Sequence, residues 1–207
     1  MFFSSSCFQF LTIFFFVGIS VLFSVSDPAE FTRENGFLES FQLFFLVIGF
    51  ILAALGTTKH QKPVYRYILS GFTLLIAAFF IREADLRGGG APVWIISLTH
   101  SPGSVILTIT MFVPYLLYSL RNIGFSLQSC LSFAGSIHFI RSVTAGLFLV
   151  AGGLFDRGLI KTANFQYYEE FLELCAYYIL AYAMFKLLPG QIDRDNRLYR
   201  NTKRINL

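Results

Sequence analysis

Six apolar runs, each about as long as a membrane span, are separated by short polar segments. They are FQFLTIFFFVGISVLFSVS at 8–26, FLESFQLFFLVIGFILAALG at 37–56, VYRYILSGFTLLIAAFFI at 64–81, SVILTITMFVPYLLYSL at 104–120, HFIRSVTAGLFLVAGGLF at 138–155 and YEEFLELCAYYILAYAMFKLL at 168–188. A hydrocarbon core about 30 Å thick is crossed by about 20 helical residues. Backbone amides inside lipid must be satisfied within the segment itself, which a helix does. The pattern therefore predicts an all-α, polytopic membrane helix bundle of about six transmembrane helices. Residues 1–190 form a single transmembrane domain, and 191–207 form a basic cytoplasmic tail. The first run is read as a span rather than a signal peptide, because no positive charge precedes it and it exceeds the usual apolar core of a signal. Pro114 falls inside the fourth run, where neighbouring helices and water can satisfy the carbonyl it frees.

Two segments do not fit six spans. Residues 122–137, NIGFSLQSCLSFAGSI, are half polar. Ile123, Leu127, Leu131 and Ala134 fall on one helical stripe, which predicts an interfacial amphipathic helix. A seventh span is the alternative, and it would shorten the run that follows. Residues 91–98, APVWIISL, are apolar but too short to cross. They follow Gly88, Gly89 and Gly90 and carry Trp94, a residue suited to the membrane interface, so they are read as a half-inserted lid.

Composition agrees with this pattern. The chain has 207 residues, 55% of them apolar, and only 14% are charged; a soluble domain carries about a quarter. Cys7, Cys130 and Cys175 are dispersed and form no CxxC pair, so they are read as small apolar residues rather than as a disulfide or zinc set. Gly49-x-x-x-Ala53 and Ser142-x-x-x-Gly146 have the spacing of close helix contacts.

Charge changes the picture more than composition does. With six spans and both termini inside, one side holds Lys59, Lys62, Arg66, Arg121, Arg141, Lys186, Arg194, Arg197, Arg200, Lys203 and Arg204, eleven basic residues against Asp193 and Asp195. The other holds Arg33, Arg82, Arg87, Arg157 and Lys161 against ten acidic residues. Basic residues in short loops stay cytoplasmic, so the bias orients the chain with both termini in the cytoplasm. A bacterial cytoplasmic (inner) membrane is the expected location, and an endoplasmic-reticulum membrane satisfies the same bias. The excess of basic charge reflects this polarity and is not a nucleic-acid footprint. The tail is expected against anionic headgroups.

On the outer side the ionisable residues gather at the helix ends: Glu39, Arg82, Glu83, Asp85, Asp156, Arg157, Glu169, Glu170 and Glu173. Glu169 and Glu173 are four apart and share a helix face, where like charges repel. Glu173 has apolar neighbours on both sides and a side chain too short to reach the interface, and an ionisable group inside a span is a functional candidate. Three chemistries suit such a set. Arg82 and Arg157 can pair with Glu173, Glu83 or Asp156 and lock the helix ends. Carboxylates can carry a proton or cation. His100 with Glu83 and Glu173, and with Asp85 and Glu169, can hold a divalent metal that activates water.

Motifs for catalysis are missing. HExxH does not occur, and ExxH does not occur. Glu169-Glu170 is followed by FLELC, so the EExxxR pattern of CAAX-protease-like membrane peptidases is absent. His60, in KHQKP, is expected in solvent, and His138 at the interface. The three histidines are too dispersed to ligate a haem, and no cofactor is implied. The expected function is a non-catalytic subunit that binds or organises another membrane protein, or self-associates, in the lipid bilayer. The alternatives are a cation- or proton-coupled transporter or channel subunit, and a metal-assisted hydrolase or transferase acting on a lipid-linked substrate.

Overall fold

The structure, a computed structural model, describes residues 37–83, 103–122, 131, 133–162 and 165–192. The run at 8–26, the segment at 91–98, most of 122–137, the tail from 193, Asp85 and His100 lie outside the described residues. Every apolar run within them is helical. The helices are α1 (Phe37–Lys59), α2 (Pro63–Glu83), α3 (Gly103–Asn122), α4 (Ile137–Asp156) and α5 (Phe165–Lys186). The all-α class holds among the described residues.

Three of these helices, α1, α2 and α4, are long and apolar enough to cross a membrane. In α3 the apolar stretch is shorter, Ile109–Ser119, although Pro114 does not end the helix. Helix α5 falls outside that set because Glu169, Glu170, Glu173 and Lys186 crowd its length.

Helix α5 is the centre of the bundle. It packs on α4 along one side and on α1 along another, α2 lies on α1, and α3 lies on α2. Its residues from Glu173 to Tyr177, and most of those from Leu180 to Lys186, are buried. Helix α4, at the edge, buries only His138, Ala145 and Gly152. That seven-residue spacing is the seam a helix presents to one partner. The buried positions of α1 are Leu38, Gln42, Phe45, Leu46, Gly49, Ala53 and Gly56, again one stripe. The other faces of α1, α3 and α4 expose large apolar side chains such as Phe44, Ile51, Leu117, Leu147 and Val150.

Helices α1 and α5 start at the same end of the bundle, since Gln42 reaches Glu170. Helix α2 runs back against α1, and α3 runs back against α2, as the Tyr67–Tyr118 ring contact shows. Glu39, Glu83, Asp156, Glu169, Glu170 and Glu173 therefore share one end, called here the acidic end. They are all the carboxylates among the described residues. Lys59, Arg66, Arg121, Arg141 and Lys186 belong to the opposite, basic end.

Close approach depends on glycine at particular points. A Cβ on Gly49 would lie 3.5 Å from the Ala181 backbone and 3.4 Å from Ile76, so α1 meets both α5 and α2 there. The Gly49–Ala53 spacing does mark a helix contact. The Ser142–Gly146 spacing does not, because Gly146 faces open space. At its end, α4 closes with a Schellman turn. Gly158 adopts φ +64°, its N–H bonds Phe155 O, and Leu159 N–H bonds Leu154 O. The left-handed conformation favours glycine there. At its start, Ser136 caps α4 by accepting from Phe139 N–H.

One histidine differs from expectation. His60 is buried rather than in solvent, because the turn after α1 folds it onto Tyr65 with ring centroids 4.7 Å apart. His138 is buried on the seam of α4. Cys175 is a buried free thiol, as a small apolar residue would be.

Gly49→Leu is expected to lower the melting temperature in detergent, at a cost of about 1–3 kcal/mol from overpacking. Gly146→Ala should be neutral or stabilising by up to about 1 kcal/mol, because alanine is the better helix former and meets nothing. Equal melting of Gly49→Leu and the wild type would show that α1 and α5 do not touch at this point.

Candidate functional site

The acidic end owes its geometry to helix periodicity. Glu173 and Tyr177 are four apart on α5 and so face the same way, towards the last turn of α2. There Arg82 and Glu83 end the helix. The Arg82 guanidinium spans the gap. Its Nη2 donates to Glu173 Oε1 at 2.5 Å and to Glu83 Oε1 at 2.5 Å, and its Nε donates to the same Glu83 oxygen at 2.8 Å. The Tyr177 hydroxyl accepts from Arg82 Nη2 at 3.0 Å and donates to Glu83 Oε1 at 2.7 Å. Glu83 Oε1 thus accepts from one guanidinium and one phenol. Such charge-assisted bonds are about twice as strong as neutral ones.

Glu170, three residues before Glu173, turns instead towards α1. Gln42 Nε2 donates to its Oε2 at 2.6 Å and to its backbone carbonyl at 3.0 Å. This assigns the amide orientation and leaves Gln42 Oε1 buried without a hydrogen-bond partner among the described residues. Helix α4 closes the third side. A Cβ at Gly152 would sit 3.3 Å from Glu173 Cγ and 3.4 Å from the Glu169 carbonyl. Glycine here lets α4 cover Glu173, which is 7% exposed. Arg82 is more open, with its side chain 48% exposed, against 10% for that of Glu173.

Of the residues expected from sequence, Arg82, Glu83 and Glu173 meet directly and Glu170 is held beside them. Glu169 lies near enough to Asp156 for the two to act on each other electrostatically, and Glu39 stands in the same relation to Glu170. Asp156 and Arg157 end α4 in exposed positions, and Arg157 makes no ion pair among the described residues. Asp85 and His100 lie outside them. No group of three metal-ligating side chains occurs among the described residues. Glu83 and Glu173 converge on a guanidinium, so a cation already stands where a metal would bind.

Sequence reasoning singled out neither Gln42 nor Tyr177. Both left a trace. Gln42 is the lone amide in the long uncharged stretch of the second run. Tyr177 follows Glu173 by four, the spacing that puts a phenol beside a carboxylate.

Two measurements test the network. In a double-mutant cycle read by thermal melting, Arg82→Gln and Glu173→Gln should be less than additive, with a coupling of about 1–3 kcal/mol. Fully additive losses would mean that the two groups do not pair. Tyr177→Phe keeps the ring and removes the bridging hydroxyl, and should destabilise by about 1 kcal/mol; no change would exclude the phenol from the network. Comparison of the chain with protein-family models, with curated proteins and with solved structures finds no match to any of them.

Proposed function

We infer that this is a multi-pass integral membrane protein that works without catalysis, as a subunit that binds or organises another membrane protein. The observation that carries the first half is the length and apolarity of α1, α2 and α4 together with their low burial. Apolar side chains on the outward faces of α1, α3 and α4 would be costly in water and suit lipid or a helical partner. The positive-inside bias supports placing the basic end and both termini in the cytoplasm, with the bacterial inner membrane as the proposed location.

What supports the second half is the closure of the acidic end on itself. Arg82 engages Glu83, Glu173 and Tyr177 together, so its donors point at the protein's own carboxylates. A catalytic centre needs groups aimed at a place where a reacting atom can sit. A clasp needs its groups aimed at each other. In this reading the network fastens α2 to α5 and leaves the outward apolar faces for a partner.

A second reading, a proton- or cation-conducting subunit, draws on one observation. Gln42 Oε1 is a buried acceptor left unpartnered beside Glu170, and such an atom is costly unless something donates to it.

Extraction in a mild detergent followed by mass spectrometry separates the two. A partner polypeptide recovered in fixed stoichiometry is the expected result. A solitary, monodisperse protein, with proton or cation flux into liposomes that Glu170→Gln abolishes without unfolding the chain, would replace the first reading by the second.

A further inference from the structure

The basic end holds an arrangement the acidic end does not explain. Arg141 on α4 and Lys186 on α5 both lie against the ring of Tyr182. The Arg141 guanidinium carbon is 5.0 Å from the ring centroid and Lys186 Nζ is 5.9 Å from it. Lys186 is only 6% exposed. Two like charges on one ring repel, and more strongly where water is excluded. Aromatic contact gives each cation about 0.5–2 kcal/mol but cannot cancel that repulsion.

The helix ends treat the two cations differently. Lys186 is the last residue of α5, where the negative end of the helix dipole favours a cation. Arg141 sits near the start of α4, where the positive end disfavours one and favours an anion. Its Nη1 is buried and has no hydrogen-bond partner among the described residues. A buried guanidinium donor without an acceptor is costly. The described carboxylates all stand at the other end of the bundle. His138, buried in the first turn of α4, adds a further group able to take positive charge.

We propose that Arg141, Tyr182 and Lys186, at the start of α4 and the end of α5, seat a phosphate-bearing anion. Basic pockets between helices on the cytoplasmic side suit the phosphates of anionic headgroups, and the arginine fork matches phosphate geometry. The anion is the headgroup of an anionic lipid or free phosphate. Only the lipid source rests on the membrane reading above; the site itself rests on the two cations and the orphaned donor.

The test uses the full chain in a zwitterionic detergent, with thermal melting as readout. Phosphatidylglycerol, phosphatidylcholine and inorganic phosphate are titrated separately. Phosphatidylglycerol should raise the melting temperature by several degrees and phosphatidylcholine should not. In Arg141→Gln the half-maximal concentration should rise at least about tenfold, the scale of one lost charge-assisted bond. Arg121→Gln removes the same charge from an exposed position at the same end and should shift it by less than about twofold. If Arg141→Gln does not fold, Arg141→Lys, which keeps the charge and loses the fork, takes its place with the same expected direction. An equal response to inorganic phosphate alone supports the site and identifies free phosphate as its source, whatever the fate of the membrane reading. No response to either anion, or equal weakening in Arg121→Gln, overturns the proposal. So does a response that emerges only in Asp193→Asn or Asp195→Asn, since the chain's own tail would then fill the seat.

Discussion

A carboxylate buried among apolar helices must find a cation or a donor, and the placing of α5 follows from how Glu173 does so. Its partner is Arg82 at the end of α2, with the Tyr177 hydroxyl bridging to Glu83. Leaving the Glu173 carboxylate alone in the interior would cost more than the pair gains. The requirement holds α2 and α5 in register at one end. Gln42 does the same for α1 and α5 through Glu170. Glycine sets the remaining distances: Gly49 lets α1 approach the α5 backbone, and Gly152 lets α4 close over Glu173.

The central helix is therefore the most polar of the long helices, which reverses the order in a soluble bundle. There the buried helix is the most apolar. Here α1, α2 and α4 carry the apolar surface outward, and the helix with three glutamates sits where α1 and α2 answer two of them, through Gln42 to Glu170 and Arg82 to Glu173. This inversion is consistent with the membrane surroundings proposed above, where ionisable groups face the bundle interior. The same separation sorts charge along the axis. Among the described residues the carboxylates collect at one end around Arg82, and at the other end Arg141 and Lys186 lie against one ring.

Some of this was legible in the chain. Apolar length alone gave the limits of α1, α2 and α4 to within a few residues, because the polar residues that bound each apolar stretch also stand at the ends of the helix. The pairing of Arg82 with Glu173 was also among the expected chemistries, since a short buried carboxylate has few remedies. Arg157, expected to pair in the same way, makes no ion pair among the described residues and stands exposed at the C-cap of α4. His60, expected in solvent, is stacked on Tyr65, because a turn of three residues leaves the ring no room to leave the helix pair.

The limit of the sequence is clearest in the two small-residue motifs. Gly49-x-x-x-Ala53 and Ser142-x-x-x-Gly146 are equivalent as spacings, yet the first touches two helices and the second touches nothing at Gly146. Spacing defines a face of one helix, whereas contact depends on which neighbour turns towards that face. By itself the chain determined its helical class and the extent of its apolar segments, because these depend only on local composition. Only the tertiary structure decided that α5 lies at the centre, that Gln42 and Tyr177 join the carboxylates, and that Arg141 and Lys186 meet on one ring. Those facts arise from residues far apart in the chain, and only packing brings them together.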